Sequence, residues 1–475
     1  MTNADHIWDL VEGKTAALAA MSDRIWEKPQ LNYAETEAAA EHAAILEAEG
    51  FAVTAGVAEI PTAMTGEFGA GGSVIAILGE YDALPGLSQE AGVAEHRPIV
   101  EGGNGHGCGH NVLGAGSLLA AIAIKDWLKV TGLPGRVRYY GCPAEEGGSA
   151  KGFMVRAGFF DDVDVALCWH PAAMCAVNPP FSLACQEILF TFHGRASHAA
   201  SAPELGRSAL DAVELMNVGV NYMREHMSST ARVHYALIDA GGQAPNVVQA
   251  RAVVRYLVRA PELDEMHALV ARVRRVADGA AMMTETRVES RIVSGDANLL
   301  GNAALEAAMQ AELERLGPPA FDDADRAFAE EIRATLSQEE IRAAFRRFGM
   351  APLMDMPLCD RIVPLGQGQG EGIGSTDVGT VSWVVPTVQI RSATYAIGTP
   401  GHSWQLVAQG KSGIAHKGME QAAKAMAAMM RRLMTDPILV AAAKRDFAAA
   451  RAGRPFVNPI PDETMPELPK AQAAA

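Results

Sequence analysis

Long apolar runs are missing from the 475-residue sequence. The longest candidate, residues 112–124, is broken by Gly114, Gly116 and Ser117 and falls short of the ~20 residues that a membrane span needs. The first 13 residues are polar and acidic, without the apolar core of a secretory signal. Positive charge is scarce: 40 Lys and Arg stand against 56 Asp and Glu, for a net charge of −16. A nucleic-acid or anionic-membrane partner therefore has no electrostatic support. Cysteine is sparse too. The six cysteines, Cys108, Cys142, Cys168, Cys175, Cys185 and Cys359, follow no regular spacing, so reduced thiols are expected and a disulfide framework is not. The expectation is a soluble, cytoplasmic protein with no nucleic-acid and no membrane partner. Its acidity is compatible with gathering divalent cations.

Two nucleotide-binding signatures are incomplete. Gly410-Lys411-Ser412 resembles the end of a phosphate-binding loop, but Gln405 stands where the first glycine belongs. Gly366, Gly368, Gly370 and Gly372 lack the last interval of a dinucleotide loop.

What is present is ordinary for a globular protein: 49% apolar and 20% charged residues, in a chain too long for one core. Helices are expected over 7–28, closed by Pro29, over 36–49, ending at Gly50, and over 113–130. Strands are expected at 51–57, 63–68, 73–78, 136–141 and 164–169. Several end in polar residues, which describes an α/β domain whose site lies along one sheet edge. From Cys185 the texture changes. Strands at 187–193, 231–239, 247–259 and 286–293 alternate with helices at 207–226 and 262–283, an inserted α+β unit with an antiparallel sheet. Helices at 302–316 and 325–347, an irregular stretch at 350–374, a strand at 381–390 and a helix at 416–434 complete the first domain. Residues 442–475 are expected to form a peripheral tail.

The chemistry begins at Gly105-His106-Gly107-Cys108-Gly109-His110-Asn111. If this segment is extended, His106, Cys108 and His110 share one parity. Cys and His together suit zinc-like ions; the plain alternative is a Gly-rich turn. Glu145-Glu146 follows a strand. Adjacent carboxylates there point in different directions, so one can hold a metal while the other acts as a general base, or both are solvated acids in an exposed turn. His170 ends an apolar strand on the same edge, although a lone histidine there is more often structural. His402 sits in a Gly-flanked turn and competes with His416 for the last ligand position; the turn residue has the freer reach. Asp82 can orient a ligand from behind or simply serve a turn. His198, Asn246 and Arg259 in the inserted unit read as ordinary loop and edge-strand residues unless a family relationship says otherwise, with Arg259 and Asn246 able to bind a carboxylate.

The stretches GEYDALPGLSQ from Gly79, EGGNGHGCGHN from Glu101, YGCPAEEGGSAK from Tyr140, ALCWHP from Ala166, PNVVQA from Pro245, GSTDVG from Gly374 and GTPGHSWQLV from Gly398 together resemble the M20 family of metallopeptidases and amidohydrolases. The resemblance runs over nearly the whole chain. It implies an M20-type catalytic domain, a mixed sheet flanked by helices, with an inserted α+β ferredoxin-like lid that also dimerises. The divisions are 1–184 and 297–475 for the catalytic domain and 185–296 for the lid. It implies two divalent metal ions, Mn2+ or Zn2+, held by Cys108, His110, Glu146, His170 and His402. Glu145 is then the catalytic base, with Asp82 behind the ligands. His198 reaches the partner subunit's site to polarise the scissile carbonyl, and Asn246 and Arg259 contact the substrate's carboxylate. The expected reaction is hydrolysis of an N-acyl, aroyl amino acid such as p-aminobenzoyl-glutamate by metal-activated water. Related alternatives are another N-acyl amino acid, a dipeptide or an aromatic amine, or a non-catalytic subunit of a hetero-oligomer with a related chain; a homodimer through the lid is the first expectation. One position departs from many members: Glu80 stands where they carry a metal-binding histidine, so that ligand is missing.

Overall fold

The computed structural model describes residues 6–367 and 374–469, so Gly368, Gly370 and Gly372 of the rejected dinucleotide loop lie outside the described residues. In chain order the strands are β1 (Ala52–Ala55), β2 (Met64–Ala70), β3 (Val74–Glu80), β4 (Gly135–Cys142), β5 (Val165–Ala172), β6 (Ala176–Val177), β7 (Ala184–His193), β8 (Arg232–Asp239), β9 (Arg251–Ala260), β10 (Arg287–Asp296) and β11 (Thr387–Ala393). They form two sheets, ordered β1-β2-β4-β3-β5-β11-β6 and β10-β7-β9-β8.

The larger sheet is mixed. β4, β3, β5 and β11 run parallel at its centre, and the pairs β1/β2, β2/β4 and β6/β11 at its flanks are antiparallel. Every residue of β3 is buried, the continuous apolar pattern of a strand covered on both faces. Ile75, Ile77 and Leu167 face a cluster shared with helices Ile7–Trp26, His110–Thr131 and Gly413–Thr435. Their alternates Ala76, Leu78 and Cys168 face one shared with helix Ala150–Arg156. By length and composition His110–Thr131 could cross a membrane. Its near-complete burial inside this core accounts for its apolarity.

The smaller sheet is antiparallel throughout. Helices Ala209–Met223 and Leu263–Met283 pack on it in one cluster. Its chain order and strand order together make the split β-α-β, ferredoxin-like arrangement.

Four expectations are corrected. The helix expected at 325–347 is two helices, Asp323–Arg333 and Gln338–Arg347, because Ser337 and Glu340 form a capping box that starts a new one. The strand expected from 381 begins at Thr387: Val378–Ser382 is a helical turn, and Pro386 precedes the strand. The strand expected from 247 begins at Arg251, after a turn. The supposed tail is structural. Pro437–Ala450 is a helix capped by Asp436. The chain beyond it crosses between the two sheets' units: Asn458 Nδ2 donates to the Gly152 carbonyl at 3.0 Å, and Arg291 pairs with Glu467 at 2.6 Å.

Candidate functional site

The parallel strands deliver their carboxyl ends to one edge, where polar residues collect. Pairing of Glu80 with Cys142 places the ends of β3 and β4 side by side, and His170 on β5 pairs with Arg391 on β11.

The Cys/His stretch is not extended. Gly105 bridges to Leu84, and Gly109, at φ 76°, turns the chain into the helix that His110 opens. A Cβ on Gly109 would lie 3.1 Å from Pro171, so this glycine permits the approach that sets Cys108 Sγ 3.3 Å from His170 Nε2. The shared parity expected for the three side chains fails with the strand. His106 turns into the core and meets the Ile25 carbonyl at 3.2 Å.

Glu145 and Glu146 sit in a loop held in costly backbone conformations, with Ala144 at φ 54° and Ser149 at φ 58°. Buried Glu35 fastens that loop by accepting from the Ala144 N–H at 2.9 Å. Asp82 binds both sides of the edge: one oxygen lies 2.7 Å from His110 Nδ1 and the other accepts from the Glu146 N–H at 2.9 Å. His402 is also left-handed, at φ 54°, and its Nε2 lies 3.3 Å from Glu146 Oε2. His416 is elsewhere, paired with Asp23 at 2.9 Å.

Among the described residues, three groups of donors result. Cys108, His110 and His170 form one, Cys108, Glu146 and His402 a second, and Glu80, His110 and Glu145 a third, with the donor atoms of each within 4.8 Å of one another. Glu80 is thus not absent from the site. Its Oε2 lies 3.3 Å from His110 Nε2, and its Oε1 is bound by buried Lys151 at 2.7 Å, which also holds Asp377 at 2.6 Å.

These residues fit divalent metal. Glu80 Oε2, His110 Nε2 and Glu146 Oε1 are buried without a hydrogen-bond partner, a costly state for polar atoms unless a cation faces them. Burial, with Glu146 nearby, raises the Cys108 thiol well above its ordinary range; a coordinated cation reverses that preference and favours thiolate. Burial and neighbouring Arg391 push His170 down to about 3, leaving a neutral imidazole with a free lone pair. Burial, then Glu80 and Glu146, raises Glu145 well above the carboxylate range. Glu146, although burial opposes its charge, is held low by the hydrogen bond from His402 and by His110. The two neighbouring acids are therefore driven in opposite directions, the separation that divides a base from a ligand.

The lid residues stand apart. His198 is exposed, its Nδ1 accepting from the N–H groups of Ala200 and Ser201 at 3.2 Å. It bridges to Val247, beside exposed Asn246. Arg259 is at the far end of β9, paired with Cys185. A strand rises ~3.3 Å per residue, so the stretch from Arg251 to Arg259 alone spans roughly 26 Å. One chain does not bring Asn246 and Arg259 to one carboxylate.

Sequence reasoning missed Glu35, Lys151 and Asp377 and dismissed Glu80. A lysine on a short apolar helix, five residues past Glu146, was the available signal for Lys151.

Residues 76–352 match Peptidase family M20/M25/M40. The chain is 45% identical to a subunit of the p-aminobenzoyl-glutamate hydrolase of Escherichia coli (strain K12), over 96% of this chain and 97% of that one. It is 31% identical to Xaa-Arg dipeptidase of Mus musculus, over 63% of this chain and 68% of that one. Its fold is shared with a Bacillus subtilis protein described as a dinuclear metal binding peptidase from the M20 family, with a TM-score of 0.57 at 17% identity, over 90% of this chain and 99% of that one.

Proposed function

Because the chain belongs to Peptidase family M20/M25/M40, we propose that it is a metal-dependent amidohydrolase that cleaves aroyl-glutamate amides such as p-aminobenzoyl-glutamate. The observation that carries this reading is Cys108, whose sulfur belongs to two donor groups at once, beside Glu145, an acid outside both of those groups. A thiolate shared in this way suits two ions.

Cys108, His110 and His170 would hold one ion and Cys108, Glu146 and His402 the other. When bound, the ions, manganese or zinc, supply the Lewis acidity that activates water and polarises the amide carbonyl. Glu145, not needed as a ligand, takes a proton from the attacking water and returns it to the leaving amine. Asp82 fixes the tautomer and direction of His110. Arg259 binds the glutamate carboxylate. The separation along β9 favours a dimer in which His198 and Asn246 of the partner subunit complete the site, His198 stabilising the oxyanion. The lid is then 185–296, with 1–184 and 297–475 forming the catalytic unit, and the working compartment is the cytoplasm.

The Escherichia coli relative is itself one subunit of a hydrolase, which favours one further assembly, a hetero-oligomer with a related chain. Assay of the purified chain alone on p-aminobenzoyl-glutamate, other N-acyl amino acids and Xaa-Arg dipeptides tests both. Turnover with an aroyl-glutamate preference is expected. No turnover until a related chain is added would establish the second assembly, and none in either case would refute the hydrolase reading.

A further inference from the structure

Lys151 is wholly buried and belongs to none of the three donor groups. It lies in the first turn of helix Ala150–Arg156, immediately after the loop that carries Glu145 and Glu146. Its ammonium group meets Glu80 Oε1 at 2.7 Å and Asp377 Oδ1 at 2.6 Å. The other oxygen of Asp377 accepts from the Lys151 backbone N–H at 3.0 Å, so Asp377 grips the residue at both ends. Asp377 is wholly buried as well, at the start of helix Val378–Ser382. Glu80 therefore has one oxygen clamped. The other is buried, has no hydrogen-bond partner, and faces His110 Nε2 at 3.3 Å, in the donor group that includes Glu145.

Buried ion pairs are weak contributors to stability, since similar apolar or neutral groups often replace them at no loss. A lysine flanked by two buried carboxylates beside a hydrolytic site invites another role. We propose that Lys151 is a positioning residue: anchored by Asp377, it fixes Glu80, and Glu80 sets where the His110 imidazole and the Glu145 carboxylate stand relative to each other. The proposal rests on the hydrolase reading above and deepens it. The three elements concerned, the end of β3, the helix Ala150–Arg156 and the start of the helix before β11, are distant in sequence, and this triad is where they lock. Small misplacements of a catalytic group cost on the order of 100-fold in rate.

The test compares wild type, Lys151→Met, Lys151→Met/Asp377→Asn and Glu80→Gln for Tm, metal content, kcat and KM. Lys151→Met alone strands two carboxylates and is expected to lower Tm sharply. The double variant removes the cation with one anion and is expected to recover most of that Tm and the wild-type metal content. Its kcat should stay about 100-fold down, with KM within about twofold of wild type. A purely structural lysine predicts that kcat returns with Tm, and that result overturns the proposal. Glu80→Gln keeps the size and the Lys151 contact but removes the charge that faces His110 Nε2, so it reads the last step of the same chain should the double variant fail to fold. It is expected to match the wild-type Tm and lose kcat about 100-fold, and a wild-type kcat would overturn the proposal. A wild type that is itself inactive on every amide refutes the hydrolase reading and this proposal together. An active wild type with an equally active Glu80→Gln refutes this proposal alone.

Discussion

The backbone N–H of His402 donates to the carbonyl of Gly107 at 2.9 Å. This single bond stitches the turn after β11 to the loop before helix His110–Thr131, and through it His402 and Cys108 reach Glu146 together. His402 is in the left-handed region, a conformation that persists in a non-glycine residue only where the surroundings impose it.

Glu145→Gln is expected to lower kcat by about 10²–10⁴-fold while metal content is kept, because the acid works as a base and not as a ligand. Burial and the charges of Glu80 and Glu146 oppose ionisation of Glu145. The neutral amide should therefore leave the Tm of the metal-free protein equal or higher. Kinetics, elemental analysis and a thermal melt check the three; unchanged kcat would remove Glu145 as the base.

Asp82→Asn should weaken metal binding by about 10- to 100-fold, measured by chelator competition. Asp82 holds His110 Nδ1 at 2.7 Å, and losing such an orienting carboxylate typically costs that much. Affinity equal to wild type would mean that His110 keeps its direction without it.

Gly105→Ala should lower Tm and metal affinity together, because its Cβ would lie 2.2 Å from the Leu87 carbonyl oxygen. Backbone cannot yield as a flexible side chain does. Gly13→Ala is the control: nothing lies within 4 Å of its Cβ in the first helix, so a gain of ~0.5–1 kcal/mol is expected. Equal effects in denaturant melts would contradict the packing assigned to the Gly105 loop.

The stability that His42 and His106 contribute to the metal-free chain should fall as pH drops below about 6.5. Burial pushes His42 down to about 3 and His106 down to about 4. In that interval the unfolded chain binds protons that the folded one refuses, so the stabilisation is complete above the unfolded pKa and is lost progressively toward the folded value. Each histidine contributes up to ~1.4 kcal/mol per pH unit within its own window. Glu35 and Asp377, pushed up by burial to about 8 and about 7, act in the opposite sense over the same range. The measurement is therefore the difference in urea unfolding between wild type and His42→Gln at pH 7 and at pH 5; a difference that does not change with pH would contradict the burial of the His42 imidazole.

The site residues that close strands were legible in the sequence, because alternation between helix and strand puts strand ends on one edge whatever the details of packing. Glu146 and His170 follow from that rule, while Cys108 was legible from the close spacing of Cys and His among glycines before a helix. His402 needed the added guess that a Gly-flanked turn reaches inward. Lys151, Glu80 and Asp377 were not legible, since an ion pair across more than two hundred residues leaves no periodicity behind. The break at Ser337 was legible in principle, as Ser-x-x-Glu is a capping signature, but the apolar pattern of the two helices runs through it. The last segment reads as a tail because its contacts are scattered over elements distant in sequence, Asn458 to Gly152 and Glu467 to Arg291 among them, which composition does not reveal.

The most direct test of the shared-thiolate site is metal analysis of the purified chain beside Cys108→Ser. Two donor groups meeting at one sulfur predict about two divalent ions per wild-type chain and a loss from both positions in the variant, leaving less than one. A variant that keeps the full wild-type complement would contradict the account, because Cys108 would then hold neither ion.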